Sequence, residues 1–179
     1  MPLITLTTPR LILRAPRLAD ADAIYNGYAT DPEVARFVLW TPHESIEETR
    51  AFLIGFLDHG RGDTSYPWVI TRAADRLVIG AIHLRVNAPK GEVGFNIDRA
   101  EWGRGYGTEA LRAVIEFGLG LAGVHRIQAL CHVENAASAR VMEKAGMVKE
   151  GVLRRFLVFP NISAEPQDVF IYAQTRERT

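Results

Sequence analysis

The sequence of 179 residues has little of what marks the specialised classes of protein. Its single cysteine, Cys131, excludes a scaffold held together by disulfide bonds. Its 21 basic and 21 acidic residues cancel, so no excess of positive charge is available to hold nucleic acid by bulk electrostatics. With 47% hydrophobic residues, it also lacks the composition of a disordered chain. What remains is a globular domain of ordinary size.

Long uncharged apolar runs are absent as well. The most apolar stretch, residues 110–124, is interrupted by Arg112 and Glu116, so we expect no membrane span. The N-terminal residues lack the basic segment and apolar core of a secretory signal. We therefore expect a single domain over residues 1–179, located in the cytoplasm, with neither a membrane nor a nucleic acid as its partner.

Hydrophobic periodicity predicts both strands and helices. The predicted strands are residues 11–13, 66–71, 77–86, 92–97, 126–133, 148–159 and 168–174. The predicted helices are residues 20–29, 108–122 and 135–145, with Asn135 at the start of the last and Gly146 as its cap. A further helix is predicted to begin at a capping box formed by Thr41, Pro42 and Glu44, and to end near Gly60 or Gly62.

This order of elements predicts an α+β fold with a mixed sheet. The strand–helix–strand unit of residues 92–133 is expected to be a right-handed parallel crossover.

A glycine-rich segment, residues 103–107, lies between a predicted strand and a predicted helix. Glycines allow a ligand to approach the backbone, and a helix start offers unpaired amides with partial positive charge. The pattern therefore favours an anion site, most naturally for phosphate, over a plain glycine-rich turn. The P-loop string is absent, and the dinucleotide fingerprint fits poorly because the preceding strand does not open a βαβ fold.

Two blocks of sequence then point to a family. The first reads W-G-R-G-Y-G-T-E-A at residues 102–110, and the second reads N-A-A-S-A-R-V-M-E-K-A-G-M at residues 135–147. Together they resemble the GNAT superfamily of acetyl-CoA-dependent N-acetyltransferases, and most closely its RimJ/RimL branch, which acetylates protein N-termini. The opening T-P-R-L-I-L-R at residues 8–14 and the stretch at 168–172 are similar to this branch too, so the resemblance covers nearly the whole chain.

The resemblance implies a mostly antiparallel central sheet, flanked by helices, with one parallel pair of strands that splays apart. It implies that acetyl-CoA binds there, with its pyrophosphate on the amides of the glycine-rich loop and its pantetheine arm along strand 92–97. The cofactor-binding residues expected on this basis are Phe95, Ile97, Arg99, Arg104, Gly105, Tyr106, Gly107, Thr108, Asn135 and Ser138. Two of them have alternative explanations, since Arg104 is equally read as a solvated charge and Asn135 as a helix cap. Trp102 departs from the superfamily pattern, which has a polar side chain there.

The implied chemistry is direct attack of a neutral amine on the thioester, without a covalent enzyme intermediate. Glu92 is the candidate base, acting through water, although an exposed charge beside a turn explains it equally well. Ser138 is the candidate acid, because Met142 stands where many relatives have a tyrosine; a serine in a first helical turn is otherwise ordinary. No metal site is expected, because no histidine has metal-ligand spacing with a cysteine or an acid. Cys131 is expected to be a packed apolar residue, with the neighbouring His132 on the opposite face of its strand.

The acceptor remains open between several classes. An α-amine has a pKa near ~7.8 and a lysine near ~10.4, so a lysine costs roughly 3.5 kcal/mol more to deprotonate at the same pH. A site without an obviously strong base therefore favours the N-terminal α-amine of a protein or peptide. The alternatives are a small-molecule amine, such as an antibiotic or a polyamine, and a non-catalytic acyl-CoA-binding sensor. A homodimer is compatible with the resemblance.

Overall fold

The computed structural model describes residues 4–59 and 64–176. The predicted helix end near Gly60 or Gly62 lies outside these residues. The strands are β1 Leu6–Thr7, β2 Leu11–Arg14, β3 Ser65–Arg72, β4 Val78–Asn87, β5 Lys90–Ile97, β6 Arg126–His132, β7 Val148–Leu157 and β8 Gln167–Thr175. The helices are α1 Ala21–Ile24, α2 Pro32–Ala35, α3 Ile46–His59, α4 Tyr106–Gly120 and α5 Ala136–Ala145.

The strands form one sheet in the order β1-β2-β3-β4-β5-β6-β8-β7. Its neighbouring strands are antiparallel except for β5 and β6, which are parallel and joined through α4. The α+β class and the mostly antiparallel sheet with one parallel pair are therefore confirmed. None of the helices within the described ranges is long and apolar enough to cross a bilayer.

Helices cover both faces of the sheet, so each face buries its own hydrophobic cluster. The first face packs against α4 and α5, and its buried residues include Leu111, Ile127 and Met142. The second face packs against α1 and α3, through residues such as Ile24 and Leu53. The helices α4 and α5 pack on β5 and β6, whereas α1 and α3 pack on β3 and β4.

The predicted start of α3, at residues 41–44, is wrong. Residues 41–44 lie before the helix, and the His43 amide donates instead to the Ala29 carbonyl at 2.8 Å. The helix is capped four residues later, where the Glu48 amide donates to Ser45 Oγ, and Glu48 Oε2 accepts from the amide of Glu44, the residue before the cap. Residues 41–44 and 45–48 both have a serine or threonine followed three residues later by a glutamate. In the structure, the bond from His43 to Ala29 holds the first segment outside the helix.

Other boundaries also differ from the predictions. The helix predicted at residues 20–29 is α1 followed by a wider, π-helical turn at Tyr25–Ala29. The two-residue strand β1 was not predicted, and β5 begins at Lys90, two residues early, so that a tight turn joins it to β4. The predicted caps of α5 are confirmed, with Asn135 accepting from the Ser138 amide and Gly146 in the left-handed conformation.

Candidate active site

The parallel strands β5 and β6 separate soon after they begin. They pair only at Lys90 with Arg126, Gly91 with Ile127, and Glu92 with Gln128. Beyond that point β5 remains paired with β4 up to Ile97, while β6 remains paired with β8. The facing edges of the two strands are therefore open over the second half of β5, as expected for the splayed pair.

The open edge of β5 presents backbone groups in alternation. The Asp98 amide donates to the Ile79 carbonyl of β4, so the backbone groups of Phe95 and Ile97 face the opposite way, toward the gap. The indole of Trp102 donates to the Ile97 carbonyl at 2.7 Å. Trp102, which departs from the superfamily pattern, is thus hydrogen-bonded to the Ile97 carbonyl, while the amides of Phe95 and Ile97 face the gap.

The glycine-rich loop connects this edge to the start of α4. Gly103 and Gly105 both have positive φ, of 77° and 80°, a conformation that glycine adopts without strain. Gly105 is the N-cap of α4, and having no side chain it cannot cap the helix. The first amide bonded back into the helix is that of Glu109, which donates to the Gly105 carbonyl. The amides of residues 105–108 therefore form an uncapped, partially positive helix start.

Arginines surround the loop, but they differ in how far they are engaged. Arg99 forms an ion pair with Asp31 at 2.7 Å. Arg104 is about half exposed and lies 3.4 Å from Glu101, a buried carboxylate whose other oxygen is bound by Arg72. Both side chains are more than half exposed, and Arg104 has the longer ion pair of these two predicted cationic contacts.

The N-terminus of α5 lies beyond the other side of the gap, after the end of β6. Asn135 Oδ1 accepts from the Ser138 amide at 3.0 Å, so Asn135 is a helix cap in this structure. Ser138 is half-buried in the first turn of α5. Asn135 therefore caps α5, whereas the first amides of α4 have no side-chain cap.

Glu92 lies where the parallel pairing ends. Its side chain is on the second face of the sheet. Asn96, four residues further along the same strand, shares this face and pairs with Ala81 of the second hydrophobic cluster. Gln128 Nε2 donates to Glu92 Oε2 at 2.9 Å. Next to it on this face, a Cβ added at Gly94 would meet no atom within 4 Å, so there is open space beside the carboxylate.

The two predicted catalytic residues lie at opposite ends of the gap. Four residues of β6 separate Gln128, the partner of Glu92, from His132, the end of the strand that precedes α5. That is about 13 Å at roughly 3.3 Å per residue. A base at Glu92 is therefore expected to act through a water relay, as the resemblance implies, rather than by direct contact with an atom that Ser138 also touches.

The residues of β6 behave largely as predicted. Cys131 is buried on the first face, where burial raises the pKa of its thiol to about 11 despite the opposing charge of Lys149. His132 lies on the second face, between the rings of Phe37 and Phe159. The Glu134 amide donates to His132 Nδ1, which places the proton of the neutral ring on Nε2, a buried atom without a hydrogen-bond partner in the described part of the chain.

Sequence reasoning missed a second set of residues that contact the loop. Arg10, just before β2, binds both the Arg104 carbonyl and the carboxylate of Glu109 in α4. Their separation by about a hundred residues hides the contact from any local pattern. The only signal was that both belong to stretches similar to the RimJ/RimL branch.

No group of three or more histidine, cysteine or acidic side chains able to hold a metal ion is found over residues 4–59 and 64–176. The arrangement is instead an open strand edge that leads to an uncapped helix start. Such an edge suits an extended amide-bearing arm, and such a helix start suits phosphate groups. Together they define the class of acyl-CoA-dependent transferases, in agreement with the sequence resemblance.

Comparisons with known proteins support this class. The acetyltransferase (GNAT) domain family matches residues 10–148. Over 176 residues, 97% of each protein, the chain is 32% identical to the uncharacterized N-acetyltransferase YoaA of Bacillus subtilis strain 168. The chain belongs to the GNAT acetyltransferase family, and it is an acetyl-CoA-dependent acetyltransferase.

Two solved structures share its fold. One is RimL, a ribosomal L7/L12 alpha-N-protein acetyltransferase in complex with coenzyme A, with a TM-score of 0.84 at 19% identity over 96% of this chain and 98% of that chain. The other is the microcin C7 self immunity acetyltransferase MccE in complex with acetyl-CoA and AMP, with a TM-score of 0.84 at 17% identity over 94% of each chain. At these identities the likeness establishes the fold.

Proposed function

We propose that the protein transfers the acetyl group of acetyl-CoA to the N-terminal α-amine of a protein or peptide. The observation that carries the acetyl-CoA part of this proposal is the uncapped start of α4 at the end of the open edge of β5, and the α-amine part rests on the difference in pKa between α-amines and lysines. The amides of residues 105–108 hold the pyrophosphate, and Arg104 adds positive charge beside it. The amides of Phe95 and Ile97 and the side chain of Asn135 hold the pantetheine arm.

The acceptor approaches from the second face of the sheet, where the open space beside Gly94 adjoins Glu92. Glu92 removes a proton from the attacking amine through water, because direct contact with the reaction centre is not compatible with its place at the closed end of the gap. An amine with a pKa near ~7.8 is about one third neutral at pH 7.5 and about three-fifths neutral at pH 8, so one exposed carboxylate suffices as the base. This favours an α-amine over a lysine.

Ser138 donates a hydrogen bond to the leaving sulfur from the other side of the gap. Met142 stands where many relatives have a tyrosine that acts as the general acid. It is fully buried in the first hydrophobic cluster and has no proton to donate. A thiol has a pKa of about 8.5, so its thiolate leaves readily and needs little protonation.

We expect Ser138→Ala to lower kcat by about 10-fold, less than the ~100-fold or more of a strong general acid. The measurement is steady-state turnover together with calorimetric binding of CoA, which should change by less than about 3-fold. Ser163→Ala, in the β7–β8 loop, serves as the control. If CoA affinity is lost while turnover of the bound complex stays intact, Ser138 has no role in the chemical step.

Direct transfer predicts that Cys131 is dispensable. Since the pKa of its thiol is about 11, little thiolate exists at neutral pH, and the side chain packs in the hydrophobic cluster. We expect Cys131→Ala to retain turnover within about 3-fold, and the wild-type thiol to react slowly with iodoacetamide below pH 9 and faster above it. An acetylated Cys131 in intact-protein mass spectra, together with loss of turnover in the variant, would support a covalent intermediate instead.

The acceptor class is tested with a panel of amines and a free-thiol assay. The panel contains a peptide with a free α-amine and no lysine, an N-blocked peptide with one lysine, a polyamine and an amine-bearing antibiotic. The proposal expects the first peptide to give the highest kcat/KM. Preference for the polyamine or the antibiotic would establish a small-molecule acetyltransferase, and acetyl-CoA binding without transfer to any acceptor would indicate a sensor.

A further inference from the structure

Arg10, in the turn between β1 and β2, makes four contacts with the glycine-rich loop and the start of α4. Its backbone amide donates to Glu109 Oε1 at 2.9 Å, and its Nε donates to Glu109 Oε2 at 2.7 Å. Its Nη1 donates to the Arg104 carbonyl at 3.0 Å, and its guanidinium lies 4.7 Å from the ring centroid of Tyr106. One side chain thus touches the loop, the first turn of α4, and the aromatic residue between them.

The hydrogen bond from Arg10 to the Arg104 carbonyl determines the orientation of the Gly105 amide. The peptide between Arg104 and Gly105 is planar, so fixing its carbonyl toward Arg10 turns the Gly105 amide in the opposite direction. Glycines with positive φ lie on either side of Arg104, at Gly103 and Gly105, and their backbones are otherwise free to take several conformations. Arg10 therefore holds in place the peptide whose amide begins the anion site.

The contact with Glu109 bears on charge. A carboxylate in the first turn of α4 stabilises the helix, but it also opposes the binding of a negatively charged phosphate at the same helix start. Partial burial raises the pKa of Glu109, but hydrogen bonds from Thr8 and from Arg10 outweigh it, so the pKa lies below its ordinary value and the group is ionised. The guanidinium of Arg10 offsets this charge at 2.6 Å.

We propose that Arg10 is a positioning residue for the phosphates of acetyl-CoA, acting through the Arg104–Gly105 peptide and through Glu109 rather than by contact with the reacting atoms. This inference rests on acetyl-CoA binding at the loop, as in the proposed function. It assigns to the turn between β1 and β2 a part in cofactor recognition that is separate from the chemical step.

The test compares two acetyl donors in Arg10→Ala: acetyl-CoA, and S-acetyl-pantetheine, which lacks the pyrophosphate and the nucleotide. We expect kcat/KM for acetyl-CoA to fall by about 10-fold to 100-fold, the range for a lost hydrogen bond to a charged group. The kcat at saturating acetyl-CoA and the kcat/KM for S-acetyl-pantetheine should each stay within about 2-fold. Arg50→Ala, which removes an exposed ion pair with Glu47 on α3, is the matched control and should change neither donor.

Two results overturn the proposal: an unchanged kcat/KM for acetyl-CoA, or an equal fall with both donors, which indicates general damage to the cleft. If Arg10→Ala fails to fold, Arg10→Lys is measured in the same way. It keeps the positive charge but not the simultaneous contacts with Arg104 and Glu109, and the same selective loss with acetyl-CoA is required. A wild-type protein that does not bind acetyl-CoA would instead refute the proposed function, so the two failures are distinguishable.

Discussion

Glu92→Gln should lower kcat at pH 7 by about 100-fold or more, within the ~10²–10⁴ range of general base catalysis. The substitution keeps the shape of the side chain and an oxygen that accepts from Gln128, but it removes the group that takes a proton from the water relay. The affinity for acetyl-CoA should stay within about 3-fold, because Glu92 lies at the closed end of the gap, away from the start of α4.

The pH profile adds a second readout. In Glu92→Gln the amine must lose its proton to solvent, so the rate should rise with pH up to the pKa of the acceptor amine, near ~7.8 for an α-amine. Glu116→Gln, an exposed glutamate on α4, is the control and should leave kcat unchanged. A variant at position 92 that keeps kcat within about 3-fold would show that Glu92 is an exposed charge without a catalytic role.

Gly105→Val should weaken acetyl-CoA binding by about 100-fold. Gly105 has a φ of 80°, and this left-handed conformation costs a residue with a side chain roughly 1–2 kcal/mol, more when it is β-branched. Relief of this strain moves the peptide between Arg104 and Gly105, and a Cβ at Gly105 would lie 3.5 Å from Arg10 Nη2, so the valine also crowds the guanidinium that holds this peptide. At ~1.36 kcal/mol per tenfold change, strain and lost phosphate contacts together account for the expected effect.

Calorimetry of CoA binding measures this change directly. Gly120→Val, at the other end of α4, is the control, because a Cβ at Gly120 would meet no atom within 4 Å and no positive φ is required there. Thermal melting should show both variants folded. If Gly105→Val binds CoA as tightly as the control does, the phosphates lie elsewhere.

Local signals were sufficient for parts of the site that depend on one or two residues. The caps of α5 at Asn135 and Gly146 followed from the preferences of these residues, and the uncapped start of α4 followed from glycines before a helix. The parallel pair followed from the strand–helix–strand order of residues 92–133, whereas its splaying came from the family resemblance.

The remaining parts depend on contacts between distant residues. Thr41 and Ser45 both matched a capping pattern, and the bond from His43 to Ala29 selected the second. The contact between Arg10 and Glu109 joins residues 99 apart, and the burial of His132 between two phenylalanines depends on loops outside any regular element. Neither leaves a periodic trace in the sequence.

The most direct test of the central claim is a competition between two peptides of the same composition. One has a free α-amine and a blocked lysine, and the other has a blocked α-amine and a free lysine. Incubation of both with the protein and acetyl-CoA is followed by mass spectrometry of the peptides. The account predicts acetylation of the free α-amine in wild type and its loss in Gly105→Val. Preferential acetylation of the free lysine, or acetylation of neither peptide by a protein that binds acetyl-CoA, would contradict it.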